Sequence, residues 1–389
     1  MPGRADDERF MAAAIGIART HLGRTGTNPS VGCVIVKDGV VVGQAVTALG
    51  GRPHAEPQAL AEAGEKALGA TAYVTLEPCS HYGKTPPCAN ALITAGIARV
   101  VVSVTDPDAR VSGRGLEMLR AAGIAVETGV LEEEGRRALA GYLMRQTKGR
   151  PYVTVKLALS SDGMIGRQGE GQIRITGTEA RAEVQRLRAE SDAILVGIGT
   201  AVADDPELTV RIPGMEDRSP IRIVLDPLLA LPLDGKLATT ARQVPVIVVA
   251  SETVSPLVAD AEGVSPVADV TGRAEGDVAP SAEAAARRAA LEALGVEVVY
   301  CNPYNPEILL PALGSRGLSS LFVEGGAKTV RLFLEAGLVD RILLFEGQGA
   351  IGEGGIESPV TKDDMPSGFT HVGTRLFGAD RCDEYEREL

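Results

Sequence analysis

The chain has 389 residues, and 39 Lys+Arg against 51 Asp+Glu give a formal net charge of −12. At roughly 100–200 residues per domain this length predicts two domains, each able to bury a core, and 44% hydrophobic with 23% charged residues excludes disorder along most of the chain. A net acidic chain with six Phe, seven Tyr and no Trp offers few stacking platforms, so no nucleic-acid partner is expected, whereas a local basic pocket for one small anionic substrate remains open.

The five cysteines, at 33, 79, 88, 301 and 382, are odd in number and widely spread, which points to reduced or metal-bound thiols rather than a disulfide framework. The first 30 residues lack the apolar core and cleavage site of a signal peptide, and no stretch approaches 18 uncharged apolar residues. A soluble, cytoplasmic protein with no membrane partner is the expectation.

Apolar positions Phe10, Met11, Ala14, Ile15 and Ala18 at helical spacing predict a helix over 5–22. Two β-branched runs around Lys37-Asp38-Gly39 predict a hairpin over 31–46. Helices follow at 55–67, 87–95, 113–122 and 131–145, alternating with strands at 72–76, 99–104 and 124–127, a pattern for an α/β layer structure around one mixed sheet. Residues 146–151 lack apolar periodicity and contain Gly149 and Pro151, which predicts a linker and domains over 1–146 and 147–389. The second α/β pattern has strands at 152–160 and near 192–197, 221–225, 245–250, 297–300, 320–323 and 341–346, with an amphipathic helix at 179–190 and a surface helix in the second half of the Ala, Glu and Arg-rich stretch 259–293. The two halves show no internal repeat.

The sharpest chemical signal is Pro53-His54-Ala55-Glu56 followed by Glu77-Pro78-Cys79 and Cys88. One His and two Cys suit Zn²⁺ and leave a fourth position for water, the open arrangement of a catalytic site. Glu56, two residues after His54, is placed to take a proton from that water and pass it to a leaving amine. The order is that of the zinc deaminases, with both cysteines expected at the start of a helix. Cys33, in an apolar strand, reads as core; His21 and His371 read as surface residues. Eight residues separate Cys79 from Cys88 where the general signature has two, and this loop brings His81, Lys84 and Thr85 to the mouth of the site, suiting a substrate phosphate.

The blocks Thr27-Asn28-Pro29-Ser30-Val31-Gly32-Cys33-Val34, Pro53-His54-Ala55-Glu56 and Thr75 through Cys88, continued at Asp106-Pro107, closely resemble the deaminase half of the RibD family of bifunctional riboflavin-biosynthesis proteins. The resemblance implies a cytidine-deaminase-like three-layer α/β/α fold and hydrolytic removal of an amino group from a diamino-pyrimidinone ribosylamino 5′-phosphate. His54, Cys79 and Cys88 would then bind zinc and Glu56 would shuttle the proton, with Asn28, His81 and Lys84 on the substrate.

In the second half Lys156 lies on an apolar strand, and Gly197 and Gly199, like Gly325-Gly326, follow buried strands. Such turns let backbone approach a ligand, and the helix after Gly326 would attract a phosphate. No G-x-G-x-x-G follows a strand, so a Rossmann domain is not supported. Residues 152–226 and 320–345 instead resemble the reductase half of the same family, which implies a dihydrofolate-reductase-like α/β fold, NADPH as cofactor and hydride transfer to C1′ of the opened ribose. On that likeness Gln172, Arg188, Leu208, Arg211 and Glu324 match substrate positions, and Ala158, Arg174, Thr200, Asp204 and the turn Gly326, Ala327, Lys328, Thr329, Val330, Arg331, Leu332 match NADPH positions. Arg188 and Arg211 can hold a phosphate, while Lys156, Asp204 and Glu324 suit orienting the sugar or relaying a proton. Arg174 stands where the family often carries Trp, which replaces stacking by a cationic contact. The resemblance also implies a homodimer or larger assembly through this half. Two other readings stay open: a zinc deaminase of nucleosides or tRNA with a C-terminal binding module, and a non-catalytic scaffold with a structural zinc.

Overall fold

The structure, a computed structural model, describes residues 3–83, 86–108, 111–251 and 282–388. Lys84, Thr85 and the first part of the 259–293 stretch lie outside them.

The first sheet has five strands, β1 (Gly32–Lys37), β2 (Val40–Val46), β3 (Thr71–Leu76), β4 (Arg99–Val104) and β5 (Ala125–Thr128), in the order β2-β1-β3-β4-β5. β1 is antiparallel to β2 and β3, whereas β3, β4 and β5 run parallel. Each face is covered by helices. Phe10, Met11, Ala14 and Ile15 of the helix Arg4–Arg19 pack on Val34, Val36, Tyr73 and Val101; the opposite face buries Ala55, Ala59, Ala89, Leu92, Leu116 and Leu119 against Cys33, Ile35, Val74 and Val102. The helix Ala55–Ala63 lies so close to β2 that a Cβ on Gly43 would meet the Ala59 carbonyl oxygen at 2.3 Å. That approach fixes the height of Glu56, in the first turn of this helix, above the sheet.

The helix expected over 131–145 is two, Glu132–Ala138 and Ala140–Lys148, divided at Leu139, whose φ of −103° and ψ of 6° lie outside the α region. The second continues through residues 146–148 and stops at Gly149, a left-handed cap with φ 69° that a side chain would strain.

The second sheet contains β6 (Tyr152–Leu159), then, beyond a short pairing strand β7 (Met164–Arg167), β8 (Ala193–Gly197), β9 (Ile221–Leu225), β10 (Val246–Ala250), β11 (Glu297–Tyr300), β12 (Ser320–Val323) and β13 (Arg341–Glu346). β14 (Gly355–Glu357) pairs only with β7, and β15 (Phe369–Phe377) and β16 (Asp380–Arg387) form a C-terminal hairpin. The nine-stranded order is β11-β10-β9-β8-β12-β6-β13-β16-β15, parallel except at the hairpin. In β6 Val153, Val155, Leu157 and Leu159 enter one core face, so period-two alternation puts Lys156 and Ala158 on the other, half-buried. Among the described residues no helix is long and apolar enough to cross a membrane.

Candidate active sites

The first site forms where β3 ends. Glu77-Pro78-Cys79 leaves the strand, His54 immediately precedes the helix Ala55–Ala63, and Cys88 opens the helix Cys88–Thr94. Only one cysteine sits on a helix start: the eight intervening residues leave Cys79 in the preceding loop, tied to the helix because its sulfur accepts from the Cys88 N–H at 3.3 Å. His54 Nδ1 lies 3.3 Å from Cys88 Sγ and 3.7 Å from Cys79 Sγ, and the three donor atoms lie within 4.8 Å of one another.

These spacings fit a tetrahedral ion. Zn–S near 2.3 Å and Zn–N near 2.0 Å make the N···S edge of a tetrahedron about 3.5 Å. The donor set leaves one coordination position to a non-protein ligand. The facing thiols ionise unequally: the Cys88 thiol, donating to Cys79, lowers the Cys79 thiol to about 4, while that contact and burial raise Cys88. Glu56 is 3% exposed, and burial first, then the Cys79 charge, raise its carboxyl above the ordinary range.

A cavity of about 440 Å³ opens over this cluster, lined among others by Thr27, Asn28, Arg52, His54, Glu56, Cys79, His81, Asp106, Tyr142 and Arg145. Asn28 and His81, both expected here, therefore share the cavity with the cluster; Lys84 lies outside the described residues. Asp106, Tyr142 and Arg145 carried no role in the sequence reading. The buried Asp106 carboxylate accepts from the Tyr142 hydroxyl at 3.0 Å and from the Asp108 N–H at 2.9 Å, and desolvation pushes it up to about 6. Glu77 accepts from the N–H groups of Asp106, Gly113 and Gly115, fastening the cavity wall to the metal cluster's own loop. Tyr142 could not have been found from sequence, because its contact depends on where the helix Ala140–Lys148 docks. Cys33 is buried core, His371 is exposed, and His21 is half-buried rather than superficial, its Nδ1 lying 2.7 Å from the Thr47 carbonyl oxygen.

The second site stands on the parallel strands. Val323 of β12 pairs with Val155 of β6, so Glu324, one residue beyond, lies beside Lys156. Arg188, near the end of the helix Thr178–Ala189, donates to both Glu324 oxygens, at 2.6 and 3.0 Å, and to the Thr209 carbonyl. Burial works against the Glu324 charge, but Arg188, Lys156 and Arg211 outweigh it and hold the carboxyl below its ordinary range. Burial lowers Lys156, with Glu324 opposing. The ammonium also lies 6.0 Å from the Phe345 ring centroid. Arg211 is exposed and paired with Glu207 at 3.2 Å, and Leu208 is buried with φ 54°.

Beside this cluster the turns after β8 and β12 meet. Thr200 Oγ1 accepts from the Gly326 N–H at 3.1 Å, and a Cβ on Gly197 would meet Thr329 Oγ1 at 2.4 Å. The helix Ala327–Glu335 begins behind Gly326 with no side-chain cap, so first-turn N–H groups are available to an anion. Residues 327–332 are therefore helical rather than a turn; Val330 is wholly buried in the core, while Lys328 and Arg331 are exposed. Asp204 ends the helix Ile198–Asp204, half-buried and raised by desolvation. Ala158 faces the same side of β6 as Lys156. Gln172 and Arg174 are exposed on the segment after β7, and among the described residues no contact ties them to the ion cluster.

Comparison with known proteins divides in the same way. The family model for the RibD C-terminal domain matches residues 151–382, and that for the cytidine and deoxycytidylate deaminase zinc-binding region matches residues 4–104. The riboflavin biosynthesis protein RibD of Aquifex aeolicus is 40% identical over 351 residues, 90% of this chain and 89% of its own; that of Actinobacillus pleuropneumoniae is 37% identical over 391, with 97% and 95% covered. Among solved structures, Acinetobacter baumannii RibD superposes over 100% of both chains with a TM-score of 0.80 and 32% identity. A Thermotoga maritima diaminohydroxyphosphoribosylaminopyrimidine deaminase/5-amino-6-(5-phosphoribosylamino)uracil reductase does so over 99% of both, with a TM-score of 0.80 and 31% identity.

Proposed function

The chain belongs to the RibD family, a bifunctional deaminase and reductase of riboflavin biosynthesis, and on that premise we propose how its two sites divide the work. Its N-terminal unit is cytidine-deaminase-like and its C-terminal unit dihydrofolate-reductase-like. We assign them to residues 1–146 and 147–389, joined through the helix Ala140–Lys148.

In the first unit His54, Cys79 and Cys88 hold zinc, which when bound supplies the Lewis acid that makes water nucleophilic at neutral pH. Glu56 accepts the proton of the attacking water and returns it to the departing amine, so ammonia leaves 2,5-diamino-6-(5-phosphoribosylamino)pyrimidin-4(3H)-one and the uracil form remains. Asn28 and His81 orient the substrate from the cavity wall, joined by Lys84. The observation that carries this reading is the three-donor cluster with a buried carboxylate beside it under one cavity. A closed structural site would use a fourth protein ligand, and the scaffold reading has none among the described residues.

In the second unit Thr200, Asp204 and the backbone of Gly326–Thr329 hold NADPH, with Ala158, Arg174 and Arg331 completing its site, while Val330 and Leu332 anchor that helix on the core. NADPH when bound supplies the hydride that converts the ribosyl group of 5-amino-6-(5-phosphoribosylamino)uracil to ribityl. Lys156 is the proton-handling group, kept labile by burial and oriented by Glu324, while Arg211, Gln172 and Leu208 bind the substrate beside the Arg188–Glu324 pair. Purified protein given the diamino substrate should release ammonia without NADPH and oxidise NADPH only on the deaminated product. NADPH oxidation on the diamino substrate with no ammonia released would reject this division.

A further inference from the structure

The loop 20–29 carries Thr27 and Asn28 into the cavity of the first unit, and the second unit grips it from outside. Arg218, in the turn Glu216–Arg218 just before β9, donates to the carbonyl oxygens of Thr20 and Leu22 at 3.1 and 3.4 Å. Its neighbour Asp217 accepts from Arg24 at 2.6 Å. Gly23, at φ 70°, passes so near the end of the helix Thr178–Ala189 that a Cβ would lie 3.2 Å from the Ser191 carbonyl oxygen. Arg145 donates to the Thr27 carbonyl from the connecting helix.

Inside the first unit the loop is stiff. The Gly50 N–H donates to the Arg24 carbonyl at 2.9 Å, and Thr25 Oγ1 donates to the Asn28 carbonyl at 2.7 Å. These bonds link Asn28, through Thr25 and Arg24, to the residues that the second unit holds. Thr20, Leu22 and Arg24 are seized by a segment nearly 200 positions later in the chain, although nothing in β9 itself requires that contact.

We propose that Arg218 and Asp217 of the second unit are positioning residues for the first unit's reaction, holding the loop 20–29 so that Asn28 meets the substrate. Neither touches substrate; they act through the loop, and the inference rests on the deaminase reading of the cavity. The reductase half is thus a part of the deaminase site's architecture as well as a site of its own.

The test is steady-state kinetics of both activities on full-length, zinc-loaded protein with the diamino-pyrimidinone phosphate and, separately, its deaminated product with NADPH. Arg218→Met should raise the deaminase KM by about tenfold, with kcat, zinc content and both reductase constants within about twofold, because Asn28, away from the reacting atoms, supplies binding that is equal in ground and transition states. Arg218→Lys should recover part of the loss. Should Arg218→Met fail to fold, Arg24→Glu and Asp217→Lys serve: each alone should raise the deaminase KM, and together they should restore it. An unchanged deaminase KM, no restoration by the pair, or equal loss of both activities would overturn the proposal. No ammonia from wild-type zinc-loaded protein would instead overturn the deaminase reading and the proposal with it.

Discussion

The two sites solve the problem of buried polar groups in opposite ways. Around His54 the polar atoms are metal-type donors: one imidazole nitrogen and two sulfurs converge within 4.8 Å of one another. Around Glu324 the partners come from the protein itself, with the one carboxylate bidentate to Arg188 and facing a second cation, Lys156. The contrast teaches that loss of one group means different things in the two places. In the first it empties a binding position, whereas in the second it leaves buried cations without a counterion.

The largest expected effect is at Glu56. Glu56→Gln should keep zinc, measured by atomic absorption, and lower ammonia release by about 10²–10⁴-fold, the range of a lost general acid–base group; preserved turnover would remove Glu56 from the proton transfer. Lys156→Ala should spare ammonia release and impair NADPH oxidation on the deaminated product, and equal loss of both would break the separation of the sites. Glu324→Ala leaves Arg188 and Lys156 facing one another and should cost about 3–5 kcal/mol in urea unfolding, the scale for breaking a buried pair. Cys88→Ala, which strands no charge of that kind, should lose zinc with a smaller cost to the fold.

The smallest effect sharpens the comparison within the first unit. Burial raises folded-state Asp106 to about 6 from 3.8, so the folded protein binds a proton there where the unfolded chain does not. The stability linked to that proton is complete below 3.8 and is lost as pH rises through about 6, by about 3 kcal/mol at most. Asp106→Asn should gain on the wild type over that interval when urea midpoints are compared at pH 4 and 7; parallel midpoints would contradict the buried carboxylate.

Much of this could be read from the chain because it depends on local order. His54, Glu56, Cys79 and Cys88 announce themselves by type and spacing, β6, β8, β9 and β10 by β-branched residues, and β13 by its apolar run Ile342–Phe345. The hairpin β15–β16 was invisible for a physical reason: at the edge of the sheet, Arg381, Glu384, Glu386 and Arg387 stand among its apolar residues and hide the alternation. Tyr142 on Asp106 and Arg218 on Thr20 and Leu22 join residues 36 to nearly 200 positions apart, and no local pattern encodes where such distant segments dock. Arg188 illustrates the middle case. Its charge suggested a phosphate, and the structure shows that Glu324 already occupies its fork.

If one chain holds two chemically independent sites, only the first needs zinc. The most direct measurement follows ammonia and NADPH absorbance separately in protein treated with a chelator and then reloaded with zinc. Chelation should abolish ammonia release from the diamino substrate and leave NADPH oxidation on the deaminated product intact, and zinc should restore the first activity. Ammonia release that survives complete removal of zinc, or loss of both activities together, would contradict this division.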